Sequence, residues 1–141
     1  MSEPGVNEPY GKPLPNVRPV EEPFWAAARH GELRLQRCGS CGSWRFPVAE
    51  YCPRCLSTEA SWEPVAGTGT IFMRTFMHRA YFPSFAGDLP YNVVWVRLDE
   101  GPLLTGNVVG AGHDEIVVGA PVRVVFDPVT PDVTLPRFEL R

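Results

Sequence analysis

Four cysteines carry the chemistry that this sequence offers: Cys38-Gly39-Ser40-Cys41 and Cys52-Pro53-Arg54-Cys55. They are all the cysteines of a 141-residue chain, arranged as two Cys-x-x-Cys pairs with ten residues between them. Two thiolates at this spacing lie on one tight turn and point at a common centre. Two such turns facing each other supply the four ligands of a tetrahedral zinc site. Gly39 and Gly42 flank the first turn, where backbone N–H groups must approach sulfur and a positive φ is useful. Pro53 pre-sets the second turn. Four sulfur ligands leave the ion no open position, so its role is structural, and its binding energy becomes folding energy.

Other uses of the same residues make different demands. Two disulfides require an oxidising compartment, and Met1-Ser2-Glu3-Pro4 lacks the basic and apolar regions of a secretory signal. A cytoplasmic setting is therefore expected. A thioredoxin-like redox pair requires a βαβ context that the flanking pattern does not offer. A rubredoxin-like iron site uses the same four ligands, and the spacing does not separate it from zinc.

The cysteines must be held by the elements on either side. Residues 1–19 are polar and proline-rich, and read as an extended arm with Tyr10, Leu14 and Val17 as its anchors if it docks. Residues 20–66 read as a helix followed by the zinc ribbon. Acidic residues and Pro23 open the helix, alanines fill it, and Arg29-His30-Gly31 closes it. Phe24 and Trp25 must pack on the domain or on a partner, with core packing the default. The alternation in Glu32–Arg37 predicts a strand entering the first turn, and Trp44–Pro47 predicts its return.

Residues 67–141 change texture. Thr68–His78, Tyr91–Leu98, Leu103–Val109 and Val122–Phe126 are rich in strand-forming residues, and Leu135–Glu139 reads as a fifth, short edge strand. Gly67 and Gly69 predict a bulge or bend near the start of the first of these. Five short antiparallel strands suit a small closed barrel, for which an OB-fold is the best fit. The expected fold is thus mainly β: an N-terminal helix, a rubredoxin-like four-cysteine ribbon and a five-stranded OB-fold barrel.

Charge narrows the function. Thirteen basic residues against 16 acidic ones give a net charge of −3, and only Lys12 is a lysine. A nucleic-acid binder, the obvious alternative for a ribbon joined to an OB-fold, would carry a basic stripe. Between Gly67 and Asp127 four arginines stand against six acidic residues, so nucleic acid is not expected as partner. No run is long and apolar enough to suggest a membrane span. The three histidines (His30, His78, His113) have no nucleophile beside them in a recognisable motif, which argues against an independent enzyme.

The ordered set of motifs is recognisable. It runs from Pro23-Phe24-Trp25 through Leu35-Gln36-Arg37-Cys38 and Phe46-Pro47 to Cys52-Pro53-Arg54-Cys55. Gly67-Thr68-Gly69-Thr70, Pro90-Tyr91-Asn92-Val93, Leu98-Asp99-Glu100-Gly101 and Pro136-Arg137-Phe138 follow in turn. Over roughly residues 20–140 the chain resembles the zinc-ribbon plus OB-fold family long called domain of unknown function thirty-five.

The resemblance implies a non-catalytic accessory subunit. Members bind thiolase-superfamily proteins that make or cleave carbon–carbon bonds of acyl-CoA, among them lipid-transfer-protein-like aldolases of steroid side-chain degradation. It implies structural Zn2+ on Cys38, Cys41, Cys52 and Cys55, a CoA thioester met only with the partner, and an α2β2 heterotetramer. Under that reading Arg45, Arg74, His78 and Arg79 are candidates for the CoA phosphates, which arginine forks suit. Solvated charges or ion pairs are the plainer alternative for each. Phe24, Trp25, Tyr81, Phe82, Phe85 and Tyr91 are candidates for the partner interface. The alternative for the loop aromatics is folding onto the barrel. A free acyl-CoA-binding module is a further reading.

Overall fold

The computed structural model describes residues 10–141. A short 3-10 turn, Pro19–Glu21, leads into α1, Glu22–Arg29, the one α-helix among the described residues. Pro23 sits in the first turn, where its missing N–H costs nothing, and Gly31 ends the element at φ +76°. The helix buries Phe24, Ala27 and Ala28, a helical-spacing stripe on one face.

The ribbon is a three-stranded antiparallel sheet of β1 (Arg34–Cys38), β2 (Trp44–Arg45) and β3 (Ala60–Pro64), in the order β2-β1-β3. The strict alternation expected of β1 is broken at Gln36, which is buried beside Leu35. Its amide exchanges two hydrogen bonds with the Ala49 backbone, at 2.9 and 3.0 Å, and these satisfy the buried polar group. The segment around Trp62 is the third strand of this sheet and pairs with the whole length of β1.

The second sheet holds β4 (Thr68–Met77), β5 (Tyr91–Leu98), β6 (Leu103–Gly106), β7 (Pro121–Pro128) and β8 (Thr134–Leu140). Its order is β6-β5-β4-β7-β8. A parallel bridge between Val108 and Phe138 joins the two ends, so the sheet curls into a closed five-stranded barrel. The Val109 N–H donates to the Phe138 carbonyl at 2.8 Å, and the Phe138 N–H to the Asn107 carbonyl at 2.9 Å. This is the OB-fold that the strand pattern suggested.

Two details depart from the expectation. The fifth strand is seven residues long and pairs with β7 from end to end. Pro136 makes the segment read as an edge, and β8 is indeed an edge except at the closing bridge. The bulge in β4 lies between Ile71 and Met73, not at the glycines. Gly67, at φ +78°, makes the bend into the strand. Gly69 allows a close approach instead: a Cβ there would run into the Arg97 carbonyl on β5.

Ribbon, helix and barrel share one buried cluster. Phe24 from α1 and Leu33 and Leu35 from the ribbon pack in it with Ile71, Val96 and Phe138 of the barrel. Tyr10, Lys12 and Pro13 line a cleft with barrel residues. Lys12 is the fastening point, 3.1 Å from Asp88 and over the rings of Tyr10 and Phe85, while Leu14 faces solvent. The first nine residues of the expected arm lie outside the described residues. No helix among the described residues is long and apolar enough to cross a membrane.

Candidate metal centre and its surroundings

The two cysteine turns are near copies of each other. In the first, the Cys38 N–H donates to the Ser43 carbonyl at 2.8 Å and the Gly42 N–H to the Cys38 carbonyl at 3.1 Å. In the second, Cys52 to Ser57 and Leu56 to Cys52 repeat both bonds at 2.8 Å. The loops are thereby folded back so that each pair of sulfurs points inward. β1 carries Cys38 into the site, with β3 beside it.

All four Sγ atoms lie within 4.8 Å of one another. Cys38 and Cys55 are 3.5 Å apart and Cys41 and Cys52 are 3.7 Å apart. A disulfide needs about 2.05 Å. A tetrahedral ion with Zn–S bonds of about 2.3 Å needs sulfurs about 3.8 Å apart. The spacing fits the metal, and all four cysteines are free thiols.

Backbone donors prepare two of the ligands. The N–H groups of Cys41 and Ser40, both 3.4 Å from the sulfur, hold the Cys38 thiol below its usual value. The Ser43 hydroxyl, 3.4 Å away, and the Cys55 and Arg54 N–H groups bring Cys52 down to about 5. The Ser57 N–H pulls Cys55 down too. The neighbouring Cys38 sulfur, burial and the Cys41 and Cys52 sulfurs outweigh it and push Cys55 up to about 11. One thiol of the set thus keeps its proton until a cation arrives. Ser43 escaped sequence reasoning, since a serine two residues after a cysteine carries no distinctive signal.

The other candidate residues are scattered. Phe24 is 5% exposed and belongs to the core, so it is not available to a partner. Trp25 is half-buried, edge-on to Phe24 at 5.1 Å, and packs against the same cluster. Both follow from the helix lying between ribbon and barrel. In the loop after β4, Tyr81 and Phe82 are exposed. Phe85 instead stacks on Tyr91 at 5.3 Å, under Lys12.

Arg74 lies on β4 and donates to the Ile116 carbonyl at 3.0 Å, and the exposed His78 and Arg79 follow the end of that strand. Arg45 stands apart from these three. It is 3% exposed, at a cleft of about 610 Å3 between the ribbon and the Glu100–Pro102 turn. That turn follows Leu98, the partner of Gly69 at the start of β4. His78 lies at the far end, nine residues on, or about 30 Å along an extended strand. Arg45 Nη1 donates to the Ala49 carbonyl at 3.0 Å, while Nε and Nη2 are shielded from solvent. Arg45 is therefore not positioned to meet the same phosphates as the β4 group.

Site and fold together define a class: a four-cysteine zinc ribbon fused through a shared core to an OB-fold barrel. Comparison with known proteins agrees. Residues 25–60 match the family described as ChsH2, rubredoxin-like zinc ribbon domain, and residues 62–127 match ChsH2, C-terminal OB-fold domain. A DUF35 domain-containing scaffold protein of Methanocaldococcus jannaschii is 31% identical over 97 residues, 68% of each chain. A chain of the solved Ltp2-ChsH2(DUF35) aldolase superimposes with a TM-score of 0.81 at 33% identity, covering 90% of this chain and 98% of that one. The protein belongs to the DUF35 family.

A probable enoyl-CoA hydratase alpha subunit of Thermomonospora curvata is 35% identical over 128 residues, 90% of this chain. This chain spans only 39% of the length of that relative.

Proposed function

We propose that this protein is an accessory subunit of an acyl-CoA enzyme complex, and that its partner is a thiolase-like enzyme that makes or cleaves a carbon–carbon bond. The observation that carries this reading is the near-complete coverage of a chain from an aldolase whose name pairs Ltp2 with ChsH2(DUF35). The alpha-subunit name of the hydratase relative and the scaffold name of the archaeal one point the same way.

The division of labour follows from the geometry. The metal has four sulfur ligands and no open position, so zinc holds the ribbon and takes no part in turnover. The CoA thioester belongs to the shared site. This reading assigns its phosphates to Arg74, His78 and Arg79, within and just beyond β4, with the exposed Tyr81 and Phe82 beside the last two. An α2β2 heterotetramer is the assembly this reading expects.

Co-purification tests it. The full chain, tagged and expressed in its native host, should elute with a thiolase-superfamily enzyme in equal amount, and the acyl group turned over identifies the substrate. A chain that elutes alone at its own mass of 15.7 kDa refutes the accessory role.

A further inference from the structure

The outer face of the barrel carries three large apolar side chains side by side. Phe72, Met73 and Trp95 are 48%, 49% and 43% exposed. Alternation along a strand should place one of two sequence neighbours inside. The bulge between Ile71 and Met73 breaks that rule, so Phe72 and Met73 are both turned toward solvent. Met73 pairs across the strands with Trp95, and between them lies a notch of about 160 Å3, lined also by Arg74, Thr75 and Val93. That volume holds one apolar side chain.

A cation without a carboxylate partner stands beside the notch. Six arginines, from the helix, the ribbon and the β7–β8 pair, each hold a carboxylate. Arg97, on the same face of β5 as Trp95, has no carboxylate of a described residue within 4 Å, a state it shares with Arg45, Arg54 and Arg79. It lies instead over the ring of Phe72, 4.7 Å from its centre. A ring fixes a guanidinium without neutralising it, so this cation remains available to an anion arriving from outside.

We propose that this face of β4 and β5 is the docking surface for the enzyme subunit of the complex, which seats an apolar side chain between Met73 and Trp95 and sets a carboxylate against Arg97. The proposal rests on the accessory-subunit reading and gives it a location. A contiguous apolar patch of large side chains rimmed by polar groups marks an interface. Aromatic and arginine anchors around a notch are the residues that dominate binding energy. The helix, whose Phe24 is spent in the core, offers no comparable face.

The test uses the purified enzyme recovered with the wild-type chain. Trp95→Ala, Met73→Glu and Arg97→Glu should each weaken the complex by about tenfold or more, as measured by biolayer interferometry. Val109→Ser, which changes a comparably exposed side chain at the closing seam of the barrel, should leave the affinity unchanged. Zinc content and melting temperature like those of wild type establish that each variant is folded. Hydrogen exchange on the unmutated complex should protect residues 70–76 and 92–97 relative to the free chain.

Unchanged affinity in all three variants, or protection confined to other segments, overturns the docking face while the accessory role stands. Failure of the wild-type chain to recover such an enzyme overturns both. Binding of a labelled oligothymidine that collapses with salt and is lost in Trp95→Ala assigns the face to nucleic acid and likewise overturns the proposal.

Discussion

Leu56 adopts in the second cysteine turn the left-handed backbone that Gly42 adopts in the first, with φ of +66° and +77° respectively. Both residues follow the second cysteine of their pair and donate an N–H to the carbonyl of the first. The turn requires this geometry, and only one of the two sites has the residue suited to it. Leu56 is 70% exposed, so it gains little from burial in return.

Leu56→Gly should therefore stabilise the zinc-loaded protein, by up to about 1 kcal/mol after the greater freedom of the unfolded chain is counted. Leu56→Val, with its branched Cβ, should destabilise it. Thermal melts of the two variants beside wild type check the order.

Gly69→Ala tests the close approach of β4 to β5. The added methyl would meet the Arg97 carbonyl and lie 3.0 Å from the Leu98 Cα, and neither backbone group can swing away. The two strands must part where the longest ladder of the barrel begins, at a cost of about 2–3 kcal/mol. Gly87→Ala, with nothing within 4 Å, should change stability by less than about 0.5 kcal/mol. Urea titrations of both variants give the comparison.

Phe138 and Phe72 make a second pair of opposites. Phe138 is fully buried beside the closing bridge, and its ring would lie about 3 Å from a Cβ at Gly106. Phe138→Ala should cost about 3–5 kcal/mol and loosen the join of β8 to the segment after β6. Phe72→Ala should cost less than about 1 kcal/mol, because half of that side chain is already in water. Similar losses for both in denaturant unfolding would contradict the described barrel.

The metal site should respond to pH in a definite direction. At neutral pH Cys52, held at about 5, is ionised in the metal-free fold, and Cys55, at about 11, is protonated. Zinc takes only thiolate, so loading should release fewer than four protons per chain, including that of Cys55. A thiol depressed by folding contributes stability that is full above its ordinary value of 9.0 and is lost as the pH falls through its folded value, about 5 for Cys52. Cys55, raised, works in the opposite sense until metal displaces its proton. A chromogenic zinc chelator should therefore register increasing release as samples are acidified, and an indicator dye should count the protons on loading.

Cys38→Ala and Cys55→Ala should lose stoichiometric zinc. Because ribbon and barrel share the cluster around Leu35 and Phe138, the damage should not stay local. A fall in melting temperature of more than about 10 °C is expected, together with loss of the partner complex. Metal analysis and melting measure the first two effects, and gel filtration with the partner measures the third.

The cysteine turns, the helix and the strands of the barrel are legible in the chain alone, while β3 is not. Cys-x-x-Cys spacing is a local constraint, settled within a few residues by turn geometry. The strand and glycine patterns of residues 67–141 are likewise short-range signals. Tertiary structure decided what depends on neighbours distant in the chain. Phe24 and Phe72 are the same residue type, yet one fills the junction of ribbon and barrel and the other is turned outward by a bulge. Arg45 and Arg74 read alike as cations, yet one is enclosed against the Glu100 turn and the other donates to the Ile116 carbonyl. Burial is a property of what packs against a side chain, and for these four residues the packing neighbours lie on elements that only folding brings together.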